Sequence, residues 1–418
     1  MFFDKSKSST CDNVLNLNHV RKSNLFERFF LPENGFIVFL VAIGIIYGVV
    51  PIIVAIVTSE ANSFGLLSII TLVSILAMWV GNRISIIDGR FYSTSKRLRV
   101  SSSGFIGGVW FFFLTYIVFS MASASAIPFV SAISGADADL VSQQRGDFLK
   151  GREGLGIVLL YLSTFMSTFV PYTVILLYEK NSKYRHLALL AFLFYAISFM
   201  AKALFLFVIL PMLVFLAVKR RLKIKIFIYL FLFSIILLIA LTSISLNGET
   251  ALVNEEAFFS ATYIPPDTIS YLIWRSVGVP VFTATDTLLV HRELFSGQPL
   301  MGATSSLISA LFGIERINLE RFVFEHQFGS WNEIANANAV FITDAFVNFG
   351  WIGVILFSMI VGQVFRWFRL SKDIAFRAQW INFAFMIFSA SLIGTLLSNW
   401  WIFMFFNAFL LRVGSNAK

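Results

Sequence analysis

Long uninterrupted runs of apolar side chains, separated by short polar and mostly basic segments, organise this 418-residue chain. The clearest runs lie at 36–57, 64–80, 105–127, 154–178, 226–245, 347–368 and 378–397, with a shorter one at 400–411. A bilayer core about 30 Å thick needs roughly 20 apolar residues rising 1.5 Å each, so the pattern predicts membrane-spanning helices. The run 187–218 is too long for one straight span, and dividing it at Ala201-Lys202 gives two short helices and ten spans in all. One stretch cannot sit in a bilayer. The polar loop 246–346 carries Arg275, Arg292, Arg316 and Arg321, His291 and His326, no lysine, and eleven acidic residues from Glu249 to Asp344.

The expected organisation is a polar N-terminal segment 1–35, seven spans over 36–245 with a smaller polar loop at 128–153, the large loop 246–346, and three further spans with a short C-terminus over 347–418. Inside the large loop, Pro280 is placed to start a helix on which Leu288, Leu289, Arg292 and Phe295 share a face. Leu307, Ile308, Leu311 and Phe312 repeat that spacing. Such short amphipathic helices either lie in the membrane interface or form a small packed lid.

Composition agrees with the pattern. Hydrophobic residues make up 58% of the chain, charged residues 13%, and the mean hydropathy is +0.81, which excludes an ordinary soluble globular protein. A transmembrane barrel would instead show short alternating segments. The fold class read from the sequence is therefore an all-α polytopic membrane protein. The net charge of +9 does not call for nucleic acid, because the basic residues lie in the short connections between apolar runs. Placing both termini in the cytoplasm puts 24 of the 32 Lys and Arg residues on that side, as the positive-inside rule requires, and leaves both polar loops external. No cleavable signal peptide is visible in 1–35, so the first span is expected to act as its own insertion signal. The single cysteine, Cys11, excludes an internal disulfide framework.

Candidate chemistry comes from cations that topology does not require. The smaller loop holds Arg145, Lys150 and Arg152, the turn at 201–202 holds Lys202, and the large loop holds Arg275 and Arg292. A cation beside a span is costly and usually faces a partner or a wet cavity. A diphosphate suits these side chains, since the arginine fork gives bidentate, charge-assisted hydrogen bonds to phosphate oxygens. Against this, Lys202 has the position of a snorkelling interface residue and Arg275, beside Trp274, that of an interfacial anchor. Arg316 and Arg321 sit among Glu315, Glu320 and Glu325 and read as a solvated, paired face.

His291 with Asp286 offers a base and an orienting carboxylate for deprotonating a sugar hydroxyl, with Glu293 nearby; His326 has less around it. Asp137-Ala-Asp139 is a short acidic motif without a third ligand in sequence, so no metal site is assigned. Walker A, dinucleotide-binding, zinc-protease and c-type haem motifs are absent, and no cofactor is expected. The spans contain almost no carboxylates, which argues against an ion-coupled transporter.

Taken together, these features resemble the O-antigen polymerases (Wzy) of bacterial surface polysaccharide synthesis. The plan of Phe-rich spans with two external loops covers nearly the whole chain. Arg145, ten residues and then Gly156 match an Arg-X10-Gly pattern of that family, and the cation-tipped turn at Lys202 is similar to the family plan. Asn336-Ala-Asn338 and Asp344-Ala-Phe-Val-Asn348-Phe-Gly350-Trp-Ile-Gly353 look like the family's approach from the large loop into the next span. Eleven positions after Arg275 and Arg292 stand Asp286 and Ala303, so the large loop does not repeat the Arg-X10-Gly pattern.

The resemblance implies a GT-C-like glycosyltransferase of the bacterial inner membrane with its active site on the periplasmic side. Its substrates would be undecaprenyl-diphosphate-linked glycans among membrane lipids, with a chain-length regulator membrane protein as a further partner. The diphosphate would meet Arg145, Lys202, Arg275 and Arg292, with 315–333 as a lid. An O-antigen ligase shares this plan, and a lipid-linked oligosaccharide flippase is the alternative from another class.

Overall fold

The structure, a computed structural model, describes residues 25–58, 61–86, 88, 98–124, 126–137, 140–141, 143–145, 156–200, 204–245, 258–330 and 336–414. In chain order the helices are α1 (Pro32–Val57), α2 (Ser63–Arg83), α3 (Ser102–Ser123), α4 (Pro128–Ile133) and α5 (Gly156–Glu179). Then come α6 (Arg185–Ser198), α7 (Leu206–Val218) and α8 (Ile224–Ser245). The large loop contributes α9 (Thr268–Ile273), α10 (Val279–Phe295), α11 (Ser306–Phe312) and α12 (Leu319–Phe328). The chain closes with α13 (Phe341–Leu370), α14 (Trp380–Ser389), α15 (Leu392–Leu397) and α16 (Trp401–Leu410). One short parallel pair, Leu98–Ser101 beside Leu411–Gly414, is the only strand pairing among the described residues.

Six of these helices contain a stretch long and apolar enough to cross a membrane: α1, α2, α3, α5, α8 and α13. Their outward faces carry large apolar side chains such as Ile56, Phe111, Val118, Tyr229 and Ile352, all exposed, as a lipid-facing surface requires. Where the other four spans are expected, the chain forms shorter helical pieces. α6 and α7 have 14 and 13 residues, about 20 Å each at 1.5 Å per residue, and meet at a turn where Met200 has φ 51°. The expected ninth span is broken into α14 and α15 at Ala390, which is extended (φ −141°, ψ 158°), and α16 has only 10 residues.

The bundle is built around the crossing of α2 and α13. At Gly81 and Gly362 the two backbones touch, so that a Cβ on Gly81 would strike the Met359 backbone and one on Gly362 that of Met78. Small residues allow this approach, which membrane helices use because lipid gives no hydrophobic drive for association. Polar groups tie the same seam. Ser74 and Ser358 share a hydroxyl hydrogen bond at 2.7 Å, and Asn82 Nδ2 donates to the Gly362 carbonyl at 3.0 Å. At the basic end, Arg366 donates Nε to Asp88 Oδ2 at 2.7 Å and Nη1 to the Asn82 carbonyl at 3.0 Å. Within α1, residues Gly44–Val49 form a π turn, and the hydroxyls of Ser68 and Thr71 donate to the Gly48 and Tyr47 carbonyls at 2.9 Å each. In lipid such irregular backbone persists only with such partners.

Helix α13 is two helices in one. Gly350 has φ 61° and ψ −152°, a region that essentially only glycine visits, and the ladder breaks there. The carbonyls of Val347 and Asn348 instead accept the N–H groups of Leu300 and Met301 at 2.9 and 2.8 Å, which fastens the large loop to the bundle. Gly350→Ala is expected to destabilise the protein by about 1–3 kcal/mol through this backbone strain. A thermal melt of the detergent-solubilised variant that superimposes on the wild type would overturn this.

The large loop is a packed structure. α10 starts with Pro280 in its first turn, as expected, but buries nearly its whole circumference against α2, α12 and α13, with Val281, Phe282, Ala284, Leu288 and Val290 all inaccessible. It is a core helix rather than an interfacial one. α11 keeps Leu311 and Phe312 exposed.

Candidate functional site

Two arginines from separate loops converge. Arg145 lies in a short helical stretch that follows α4, and Arg275 lies in a π turn, Trp274–Gly278, between α9 and α10. The loop around α4 is positioned by its own apolar residues: Ala132 and Val141 pack against Met200 at the turn between α6 and α7. The π turn is fixed by Trp274, which is buried among Tyr263, Tyr271 and Phe282. A glycine is required at 278, because a Cβ there would stand 2.6 Å from the Phe258 carbonyl oxygen and 2.6 Å from the Trp274 ring. Asp267 accepts the Ile269 and Ser270 N–H groups at 2.7 and 2.9 Å and so starts α9.

The cluster is electropositive. Burial pulls the pKa of the half-buried Arg145 down, the Tyr271 hydroxyl pulls it up, and the Arg275 cation pulls it down again. Arg145 Nε is shielded from solvent without a hydrogen-bond partner. Among the described residues neither arginine forms an ion pair. Arg145 is half-buried and Arg275 exposed, and the packing of their loops holds these two mutually repelling cations near each other. A dianionic group entering between them would satisfy both guanidinium forks.

The other expected residues fall elsewhere. Lys202 lies outside the described residues, as do the ten residues that separate Arg145 from Gly156, which opens α5. Arg292 is exposed in the last turn of α10, seventeen positions after Arg275 on one continuous helical run, or about 25 Å along its axis. That is far too distant for both to grip one diphosphate. His291 and Asp286 stand five positions apart on α10, about 140° around the helix, and do not form the expected pair. His291 is 3% exposed and donates Nε2–H to the Gln298 carbonyl at 2.8 Å, closing the left-handed turn at Ser296 and Gly297. Asp286 Oδ2 accepts from Gln327 Nε2 at 2.8 Å, tying α10 to α12. Both side chains are held in structural bonds, His291 within the turn that ends its own helix and Asp286 across to α12. Asp137 is exposed and Asp139 lies outside the described residues; no group of three metal-ligating side chains stands together among those described.

The sequence reading missed Tyr271, although its place four residues before Arg275 on a helical run was a usable signal. It also gave no role to Asp344, which is buried beside a polar cavity at the same end of α13 as the large loop, and it set aside Arg316, which lines that cavity. No described protein family, no curated protein and no solved structure matches this chain.

Proposed function

We propose that this chain is a membrane glycosyltransferase of the polysaccharide polymerase kind, with a ten-span, GT-C-like architecture in the bacterial cytoplasmic membrane. It transfers a growing glycan from undecaprenyl diphosphate onto an incoming lipid-linked repeat unit at the periplasmic face, and a chain-length regulator in the same membrane is a partner. The observation that carries this reading is the convergence of Arg145 and Arg275, two cations from separate loops with no ion-pair partner among the described residues.

The chemistry asks for little else. The acceptor hydroxyl oxygen bonds to the anomeric carbon, the bond from that carbon to the diphosphate oxygen breaks, and the diphosphate leaves with the electron pair. Fixed cations aimed at the oxygen where charge develops lower that barrier, while the hydroxyl proton passes to a base. The Tyr271 hydroxyl, which interacts electrostatically with Arg145, supplies a further polar group for the phosphate oxygens.

The test is direct. Purified full-length protein in detergent, given a polyprenyl-diphosphate-linked repeat unit, is expected to produce a ladder of longer lipid-linked glycans. A null strain is expected to carry single repeat units on the lipid core. Polymer accumulating on undecaprenyl diphosphate in that strain would instead identify a ligase, and unaltered repeat units in the purified system would overturn the transferase reading.

A further inference from the structure

We infer that the cavity enclosed by α11, α12, the start of α13 and the α14–α15 break is a saccharide subsite, in which Asp344 accepts hydrogen bonds from sugar hydroxyls. For the identity of that saccharide, a ring of the lipid-linked glycan, the inference rests on the polymerase reading. The subsite itself rests on four observations.

The first is an unsatisfied carboxylate. Asp344 is 6% exposed, and its Oδ1 accepts from Thr304 Oγ1 at 3.2 Å and from Asn348 Nδ2 at 3.0 Å. Its Oδ2 is shielded from solvent and has no hydrogen-bond partner. A buried carboxylate oxygen without a donor forfeits its hydration for nothing, and native proteins rarely leave one so unless something else supplies the donor.

The second is the space beside it. The cavity that Asp344 lines has a volume of about 180 Å³. On this measure a water needs roughly 10–15 Å³, so the space is several times what bridging water calls for.

The third is the mixture of groups around the cavity. Asn338, Thr304, Ser391, Glu320 and Arg316 line it with Asp344. A sugar hydroxyl both donates and accepts, and this wall offers acceptors in the carboxylates and donors in the amide and guanidinium. A phosphate would meet two carboxylates, and a bare cation would meet Arg316. A neutral polyol meets neither obstacle.

The fourth is the broken helix. Ser391 and Gly394 line the cavity at the point where α14 gives way to α15, and Ser391 Oγ accepts the Gly394 N–H at 3.0 Å, leaving its own O–H to donate. Irregular backbone within an apolar bundle is tolerated where it lines a polar cavity.

The placement relative to the arginines fits an oligosaccharide. Thr287 on α10 lines the cavity and stands twelve positions after Arg275 on the same helical run, about 18 Å along its axis. A glycan whose diphosphate sits at Arg145 and Arg275 would bring a ring several sugars away to Asp344.

Full-length protein in detergent, applied to an array of immobilised neutral and acidic oligosaccharides without any lipid, is expected to retain neutral glycans. Asp344→Asn, which keeps the side-chain shape, is expected to weaken retention about tenfold or more, the size of one lost hydrogen bond to a charged group. Its melting temperature should hold or rise, since a buried carboxyl with one unpartnered oxygen is replaced by a neutral amide. Asn338→Ala, at an exposed cavity position, is expected to weaken retention severalfold and supplies the answer if Asp344→Asn does not fold. Wild-type protein that retains no neutral glycan, or variants that retain it undiminished, would overturn the subsite. The two readings fail separately. Glycan retention with no chain extension sinks only the polymerase, and extension with no glycan retention sinks only the subsite.

Discussion

Alanine at Arg145 or at Arg275 is expected to lower chain extension about 10²–10³-fold, the usual loss when one preorganised donor to a developing oxyanion is removed. The double variant is expected to leave single repeat units only. In the proposed reading each guanidinium would reach the leaving diphosphate from its own segment, Arg145 after α4 and Arg275 in the π turn, so that neither would replace the other. Lysine at either position keeps the charge and loses the planar fork, and is expected to restore part of the activity. Folding should not suffer. Arg145 is a half-buried cation that forms no ion pair among the described residues and is repelled by Arg275, so its removal relieves an electrostatic cost instead of breaking a bond. Extension would be scored as the ladder of lipid-linked products, with the melting temperature measured alongside. Full-length polymer from both single alanine variants would remove the diphosphate clamp from consideration.

The second large effect is structural. Gly362→Val or Gly81→Val is expected to prevent recovery of folded, monodisperse protein. Overpacking a core ordinarily costs about 1–3 kcal/mol, because side chains rotate or shift to relieve it. At these two positions the obstacle is backbone on the facing helix, Met78 for Gly362 and Met359 for Gly81, and no rotamer change moves it. Separating α2 from α13 would also break the Ser74–Ser358 and Asn82–Gly362 hydrogen bonds along the same seam. The control is Gly107→Ala on α3, where an added Cβ meets nothing within 4 Å. There, alanine should be neutral or stabilising by up to about 1 kcal/mol, since glycine disfavours a helix interior. Size-exclusion profiles and thermal melts of the three variants separate a specific clash from a general intolerance of change at glycine.

Apolar runs near 20 residues gave the long helices with boundaries close to those found, because length and apolarity in a bilayer are local properties. Pro280 marked the first turn of α10 for a similarly local reason. The division of 187–218 near 201 agrees with the turn between α6 and α7. The break at Ala390 lay inside an unremarkable apolar run and was not anticipated, since its capping residue, Ser391, is common in spans.

Side-chain partnerships were harder to read. His291 and Asp286 looked like a catalytic pair because they are near in sequence and chemically compatible. Five helical positions turn them away from each other; His291 bonds Gln298 in the turn that follows the helix, and Asp286 takes a partner brought in by the fold, Gln327. Arg292 looked equivalent to Arg275 until one continuous helical run put them seventeen positions apart. Arg145 and Arg275, 130 positions apart in the chain, carry nothing in their local sequence that pairs them.

By itself, then, the sequence determined what is local: a helical membrane protein, most of its spans, the basic connections and the polar loop that departs from them. Only the tertiary structure decided which cations meet, that the helix carrying Arg275 is buried rather than interfacial, and that Asp344 keeps one oxygen without a partner beside a polar cavity. The reason is physical. Bilayer insertion responds to summed apolarity over about 20 residues. A binding site depends on distances between side chains of remote segments, and packing at contacts such as Ala132–Met200, Trp274–Gly278 and Gly81–Met359 sets those distances.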